Sequence, residues 1–238
     1  MAGRGFVTEV KPIDNPHIKV LRNGRWQRMY VPVNCDRSFS GVSLAESFAD
    51  SYQKEHQVDV GLIPCADGGT SLDQWKRGGL LYDHAIYQTK LAERTSNLAG
   101  ILWHQGEADC SEELYPFYEE KLLSILNGFQ EDLELRDVPI LLGGLGDFLD
   151  RYEKDVNLKN YIYINSALKK IAQDHARIGF VSAAELTANP DNLHFNAVSL
   201  REFGIRYYKE FKKLENKDKV FQEKSGEDDA VRTEMELL

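Results

Sequence analysis

Cysteine is scarce in this chain: Cys35, Cys65 and Cys110 are the three among 238 residues. Odd in number and widely spaced, they exclude a zinc-binding pattern and a dense disulfide framework. They read as incidental thiols of a reducing compartment. Long apolar runs are also missing. No stretch approaches the ~20 residues needed to span a bilayer as a helix. Residues 1–6 carry no apolar leader, so a cytoplasmic location is expected, with short substrates brought in from outside. Basic residues are outnumbered, with 29 Lys+Arg against 38 Asp+Glu, giving a formal net charge of −9 and a pI near 5.2. That balance argues against nucleic acid as the main partner. Internal repeats and interdomain linkers are absent, and an obvious nucleophile is missing too.

The composition present, 42% hydrophobic and 28% charged, suits one large domain with a sizeable core. Short apolar runs predict buried strands at residues 60–65, 98–103, 138–144 and 178–181. Helical spacing of apolar residues predicts helices over 43–53, 84–94, 112–135, 161–176 and 197–211. Strands alternating with helices predict a parallel sheet covered on both faces. Residues 1–211 are read as this domain. Residues 212–238, rich in charge, are expected to form a solvated tail or peripheral helix. The sequence leaves the oligomeric state open.

The strand ending at Trp103 runs into His104-Gln105-Gly106-Glu107-Ala108-Asp109. Polar and acidic residues just beyond a buried strand are expected where open α/β sheets place their chemistry. Asp191 precedes His194 by three positions, close enough for the carboxylate to orient one ring nitrogen and leave the other for proton transfer. Gly68-Gly69, after the strand at 60–65, can present backbone N–H groups to a developing oxyanion, and Gln105 can add a side-chain donor. His104, Glu107 and Asp109 match no metal-ligand spacing. Ser43, in Gly41-Val42-Ser43, imitates a nucleophile elbow, but no buried strand precedes it. It reads as the start of a helix, and Ser71 as a loop or cap residue.

These blocks resemble the SGNH (GDSL-type) hydrolase superfamily, in its branch of sialate O-acetylesterase-like proteins and carbohydrate esterase family 6, which includes acetylxylan esterases. His104-Gln105-Gly106-Glu107 is similar to that branch's signature. Asp191-Asn192-Leu193-His194 resembles its final block and Gly68-Gly69-Thr70-Ser71 its glycine block. The resemblance runs in order from Met1 to about Phe211. It implies a three-layer α/β/α, flavodoxin-like fold with a parallel sheet, and serine esterase chemistry on acetylated carbohydrate without metal or organic cofactor. His194 would be the base. Asp191 or Glu107 would be its supporting acid. Gly68, Gly69 and Gln105 would serve the oxyanion and substrate.

The branch's first block reads Gly-Gln-Ser-Asn and commonly continues Met-Ala-Gly-Arg-Gly, as Met1-Ala2-Gly3-Arg4-Gly5 does here. The resemblance therefore puts the nucleophilic serine, and the strand that carries it, just upstream of Met1. Two other activities are weighed. One is an inactive carbohydrate-binding protein from a truncated gene, stacking sugar on Trp75, Tyr82 and Trp103. The other is a glycosidase using Glu107 and Asp109.

Overall fold

A computed structural model describes residues 1–135 and 137–215. Two three-stranded sheets form its middle layer. The first has the order β2-β1-β3, from β1 (Ile18–Arg22), β2 (Arg25–Arg28) and β3 (Val60–Leu62). The second has the order β4-β5-β6, from β4 (Ile101–Trp103), β5 (Ile140–Gly143) and β6 (Ile178–Val181). All pairings are parallel except β1 with β2. β5 lies between two partners and is buried throughout, which explains its continuous apolar run.

The β1–β2 hairpin was not expected. Its strands interleave Lys19, Arg22, Arg25 and Arg28 with apolar residues, and half of β2 is exposed. The turn was nonetheless readable. Asn23 and Gly24 take φ of 51° and 74°, the left-handed pair that Asn-Gly favours in a two-residue hairpin.

Helices cover both faces. α1 (Leu44–His56) and α5 (Ala197–Leu214) pack together on one side, where the ring of Phe48 meets Tyr208 and Phe211 edge-on at 6.0 and 5.7 Å. α2 (Leu80–Ala92), α3 (Tyr118–Asp132) and α4 (Tyr161–Asp174) lie on the other. There Tyr82 stacks on Phe129 at 4.7 Å. The layers are those expected, and the boundaries differ locally. The helix expected from residue 112 starts at Tyr118, because Pro116 sits in a preceding short 3-10 turn, Tyr115–Phe117, and has no N–H to continue a ladder. α5 runs to Leu214, so the expected tail begins inside this helix, and residues 216–238 of it lie outside the described residues. Among the described residues, no helix is long and apolar enough to cross a membrane.

The two sheets do not join. β3 pairs with β1 and β4 with β5, and neither has a second neighbour among the described residues. A cavity of about 700 Å³ lies between them. Gly61 and Leu62 line it from β3, Ile101 and Leu102 from β4, Phe48 from the helix layer on one face and Phe129 from the other. The space thus has sheet edges on two sides and helices on the other two.

Candidate active site

The loops following β3 and β4 open into one end of this cavity, which Met1 to Arg4, Gly68, Gly69, Gln105, Glu107 and His194 all line. Every residue expected at the site is therefore on this cavity or, for Asp191, bonded to a residue that is.

His194 is held by its own loop. Asp191 Oδ2 lies 2.7 Å from His194 Nδ1, and Asp191 Oδ1 accepts the N–H groups of Leu193 and His194 at 2.9 and 3.0 Å. Asn192 takes φ 55°, which closes the turn; Asn is one of the few side chains that tolerates this region. Burial opposes ionisation of Asp191, but the hydrogen bonds from His194 and Leu193 outweigh it and hold the carboxyl below its usual range. Nδ1 is thus committed, and Nε2 remains for proton transfer.

Glu107 opens a short 3-10 turn, Glu107–Asp109, after β4. Burial pushes its carboxyl above the ordinary range, against the attraction of His194. It is an electrostatic neighbour of His194, while Asp191 makes the direct hydrogen bond.

The two glycines of the loop after β3 differ. Gly68 donates its N–H to Asp36 Oδ2 at 2.9 Å. A Cβ there would lie 2.4 Å from Arg4 Nη2, so only glycine admits the guanidinium. Gly69 takes φ +80°, with nothing within 4 Å of where its Cβ would be. No hydrogen bond from its N–H is found among the described residues, so it is one loop donor open to a ligand on the cavity. Gln105 gives both amide hydrogens away, one to Thr70 O at 2.8 Å and one to the Asp109 carboxylate. It ties the glycine loop to the turn after β4.

Other expectations resolve differently. Asp109 is 1% exposed and accepts from Leu72 N–H and Gln105. It faces the core and cannot flank a glycosidic bond with Glu107. His104 is buried edge-on against Phe195 and Phe203. Burial brings its pKa down to about 3, so it is a neutral core imidazole. Trp75, Tyr82 and Trp103, weighed as a sugar platform, pack within the core cluster, and Trp75 and Trp103 also line the cavity. All three are buried, with Trp75 edge-on to Trp103 at 5.3 Å and Tyr82 stacked on Phe129. Ser43 caps α1, its N–H donated to Glu46 Oε1 at 2.9 Å, and Ser71 caps a 3-10 turn through Gln74 at 3.0 Å. The cysteines are free, and burial pushes Cys65 up to about 12, which leaves it an unreactive thiol at neutral pH.

Sequence reasoning missed Arg4, Asp36 and Asn189. Arg4 grips Asp36 through both guanidinium nitrogens, at 3.0 and 2.6 Å. Asn189 Nδ2 donates to Arg4 O at 2.9 Å, and Asn189 N–H to His194 O at 2.7 Å. The Asn189-Pro190 turn before Asp191 was the available hint.

Comparison with known proteins bears on the fold and the family. A probable carbohydrate esterase of Arabidopsis thaliana is 25% identical over 232 residues, covering 86% of this chain and 84% of that protein. Its X-ray structure superposes with a TM-score of 0.77 at 22% identity, over 90% of this chain and 93% of that one. NanS superposes at 0.69 with 16% identity, over 89% and 92%. XAC1771, a carbohydrate acetylesterase from Xanthomonas citri, superposes at 0.61 with 14% identity, over 82% of this chain and 48% of its own. These likenesses establish the SGNH-like α/β fold. The family of carbohydrate esterases described as sialic acid-specific acetylesterases matches residues 1–213, and the chain belongs to it.

Proposed function

We propose that this protein is a serine-type carbohydrate O-acetylesterase that removes acetyl groups from sugar hydroxyls of the acetylxylan or acetyl-sialic acid type. The observation that carries the reading is the Asp191–His194 pair, 2.7 Å apart, at a cavity shared with the free N–H of Gly69. Family membership and the carbohydrate esterase names of its relatives support the substrate class.

The nucleophile is assigned to a serine just upstream of Met1. The side chains of Ser43 and Ser71 sit in capping boxes, at the start of α1 and of the 3-10 turn Leu72–Gln74. Met1 to Arg4 line the same cavity as His194 and Glu107, so a residue joined to Met1 would enter the site. The apolar gap between β3 and β4 supports the same assignment. A parallel strand there would pair both free edges, join the two sheets, and deliver its carboxyl end to the cavity mouth, where open α/β sheets hold their reacting groups.

The serine Oγ attacks the acetyl carbonyl carbon while His194 Nε2 takes its proton. The carbonyl oxygen, now an oxyanion, accepts the N–H of Gly69, in a loop that Gln105 holds in place. As the intermediate collapses, His194 returns the proton to the leaving sugar oxygen. Water, deprotonated by His194, then attacks the acetyl-serine, and His194 returns that proton to the serine Oγ as acetate leaves. Asp191 fixes the tautomer and stabilises the imidazolium through its hydrogen bond to Nδ1.

The test is the protein expressed from the reading frame extended upstream of the Met1 codon. Acetate release from acetylated xylo-oligosaccharide and from O-acetylated sialic acid is expected, and its loss in His194→Ala. Binding of either sugar without turnover would replace the esterase reading with a carbohydrate-binding one. An upstream stop codon, or a sequence without serine, would overturn the nucleophile assignment.

A further inference from the structure

We infer that Arg4 and Asp36 form a positioning pair that joins the glycine loop to the His194 loop and sets the direction of the Gly69 N–H. The inference rests on the esterase reading for its catalytic consequence, but its geometry stands separately.

Five donors converge on the Asp36 carboxylate. Oδ1 accepts Arg4 Nη1 at 3.0 Å, Asn34 Nδ2 at 2.9 Å and Ser40 Oγ at 3.0 Å. Oδ2 accepts Arg4 Nη2 at 2.6 Å and the Gly68 N–H at 2.9 Å. The same loop is gripped again by Asn34 Nδ2, which donates to Ala66 O at 2.9 Å. Arg37 Nη2 adds a bond to Gly68 O at 3.1 Å. The peptide between Gly68 and Gly69 therefore follows residues whose donor and acceptor are both fixed. From Arg4 the chain of bonds continues through its carbonyl to Asn189 and on to His194 O. The two halves of the site, far apart in sequence, meet at one arginine.

Stability alone does not require this arrangement. Both side chains are nearly out of solvent, at 9% and 5% exposure, and apolar residues can often replace a buried ion pair without loss. What apolar residues cannot do is accept the Gly68 N–H. The charge balance points the same way. A lone carboxylate beside an oxyanion hole would repel the charge that develops there. Arg4 cancels that field while the carboxylate keeps its hold on the loop. Oxyanion donors must lie within a few tenths of an ångström of their place to act, and this pair provides the restraint.

The experiment compares Asp36→Asn, Arg4→Lys and Ser40→Ala in the upstream-extended protein, reading kcat, KM, thermal midpoint and amide exchange at Gly68 and His194, whose N–H groups are both hydrogen-bonded. Asp36→Asn keeps the shape but turns an acceptor into a donor at Arg4 or Gly68. It is expected to lower kcat by roughly 100-fold, as loss of an oxyanion donor does, with KM within about threefold. Exchange should quicken in both loops. Ser40→Ala removes one of five donors and is expected to fold and lose roughly threefold to tenfold in kcat. Arg4→Lys keeps the charge, loses the fork and should fall between them. An unchanged kcat in folded Asp36→Asn overturns the inference, as does a fall in thermal midpoint without faster exchange at Gly68 and His194. If the extended protein shows no turnover, the esterase reading fails, and the exchange measurement still decides whether Asp36 couples the two loops.

Discussion

Asp191 divides its carboxylate between two jobs: one oxygen orients His194 Nδ1, and the other accepts two backbone N–H groups of the same turn. Removing its charge therefore disturbs both the imidazole tautomer and the loop that carries it. Asp191→Asn is expected to lower kcat by about 10³- to 10⁴-fold in the serine-bearing protein, by the logic of the triad acid. His194→Ala should remove measurable turnover. Both side chains are partly exposed, so circular dichroism should be unchanged. The pH dependence follows from the depressed carboxyl. Asp191 supports the fold above the unfolded carboxylate pKa of about 3.9, and that support is lost only as pH falls through its lower folded value. Chemical shifts of the His194 ring followed through acid titration would locate that loss.

Gly68 and Gly69 should answer differently to the same methyl group. In Gly68→Ala the new carbon meets Arg4 Nη2 at 2.4 Å and Asp36 Oδ2 at 3.1 Å, so the clamp must open. A large fall in kcat and a lower thermal midpoint are expected. In Gly69→Ala the methyl has open space, but φ of +80° costs an L-residue about 1–2 kcal/mol. Its methyl would stand beside the cavity, so KM should rise more than kcat falls. Steady-state kinetics on the two variants would separate a packed glycine from a ligand-facing one.

The core strands were legible because burial on both faces writes itself as an unbroken apolar run; β6, Ile178–Val181, falls on the residues expected. β1 and β2 were not, since charged residues alternate through a partly exposed hairpin and imitate a loop. At the site the same contrast holds. Asp191 and His194 lie three residues apart and make a local pattern. Arg4 meets Asp36 across 32 positions and Asn189 across 185. Nothing in a single sequence marks such partners, because their spacing is set by the tertiary fold and not by a helix or turn.

Trp75 tests whether the buried aromatics belong to the core or to substrate. Its Nε1–H donates to Thr70 Oγ1 at 3.0 Å, and its ring lies edge-on to Trp103. Trp75→Ala is expected to cost about 3–5 kcal/mol, the range for deleting a large buried aromatic. Urea unfolding measures that cost. Sugar affinity, measured where the variant is folded, should stay within a few-fold of the parent.

Arg201 and Glu46 pair across the α1–α5 interface, where Glu46 is fully buried. Burial pushes the Glu46 carboxyl above its ordinary range, and Arg201 pulls against that shift. Arg201→Ala leaves only the hydrogen bonds from Ser43 against burial, and a carboxylate without its cation between two helices. A loss of about 3–5 kcal/mol is expected where Glu46 is ionised. The sign with pH is the reverse of that for Asp191. A raised folded pKa means that the unfolded chain releases its proton first, so stability falls as pH rises between the unfolded and folded values. The variant should therefore be closest to the parent in mild acid and furthest from it in mild alkali. Glu46→Gln added to Arg201→Ala removes the charge and should recover much of the loss at high pH. Equal destabilisation at every pH, with no recovery in the double variant, would mean that Arg201 acts through packing of its stem and not through its charge.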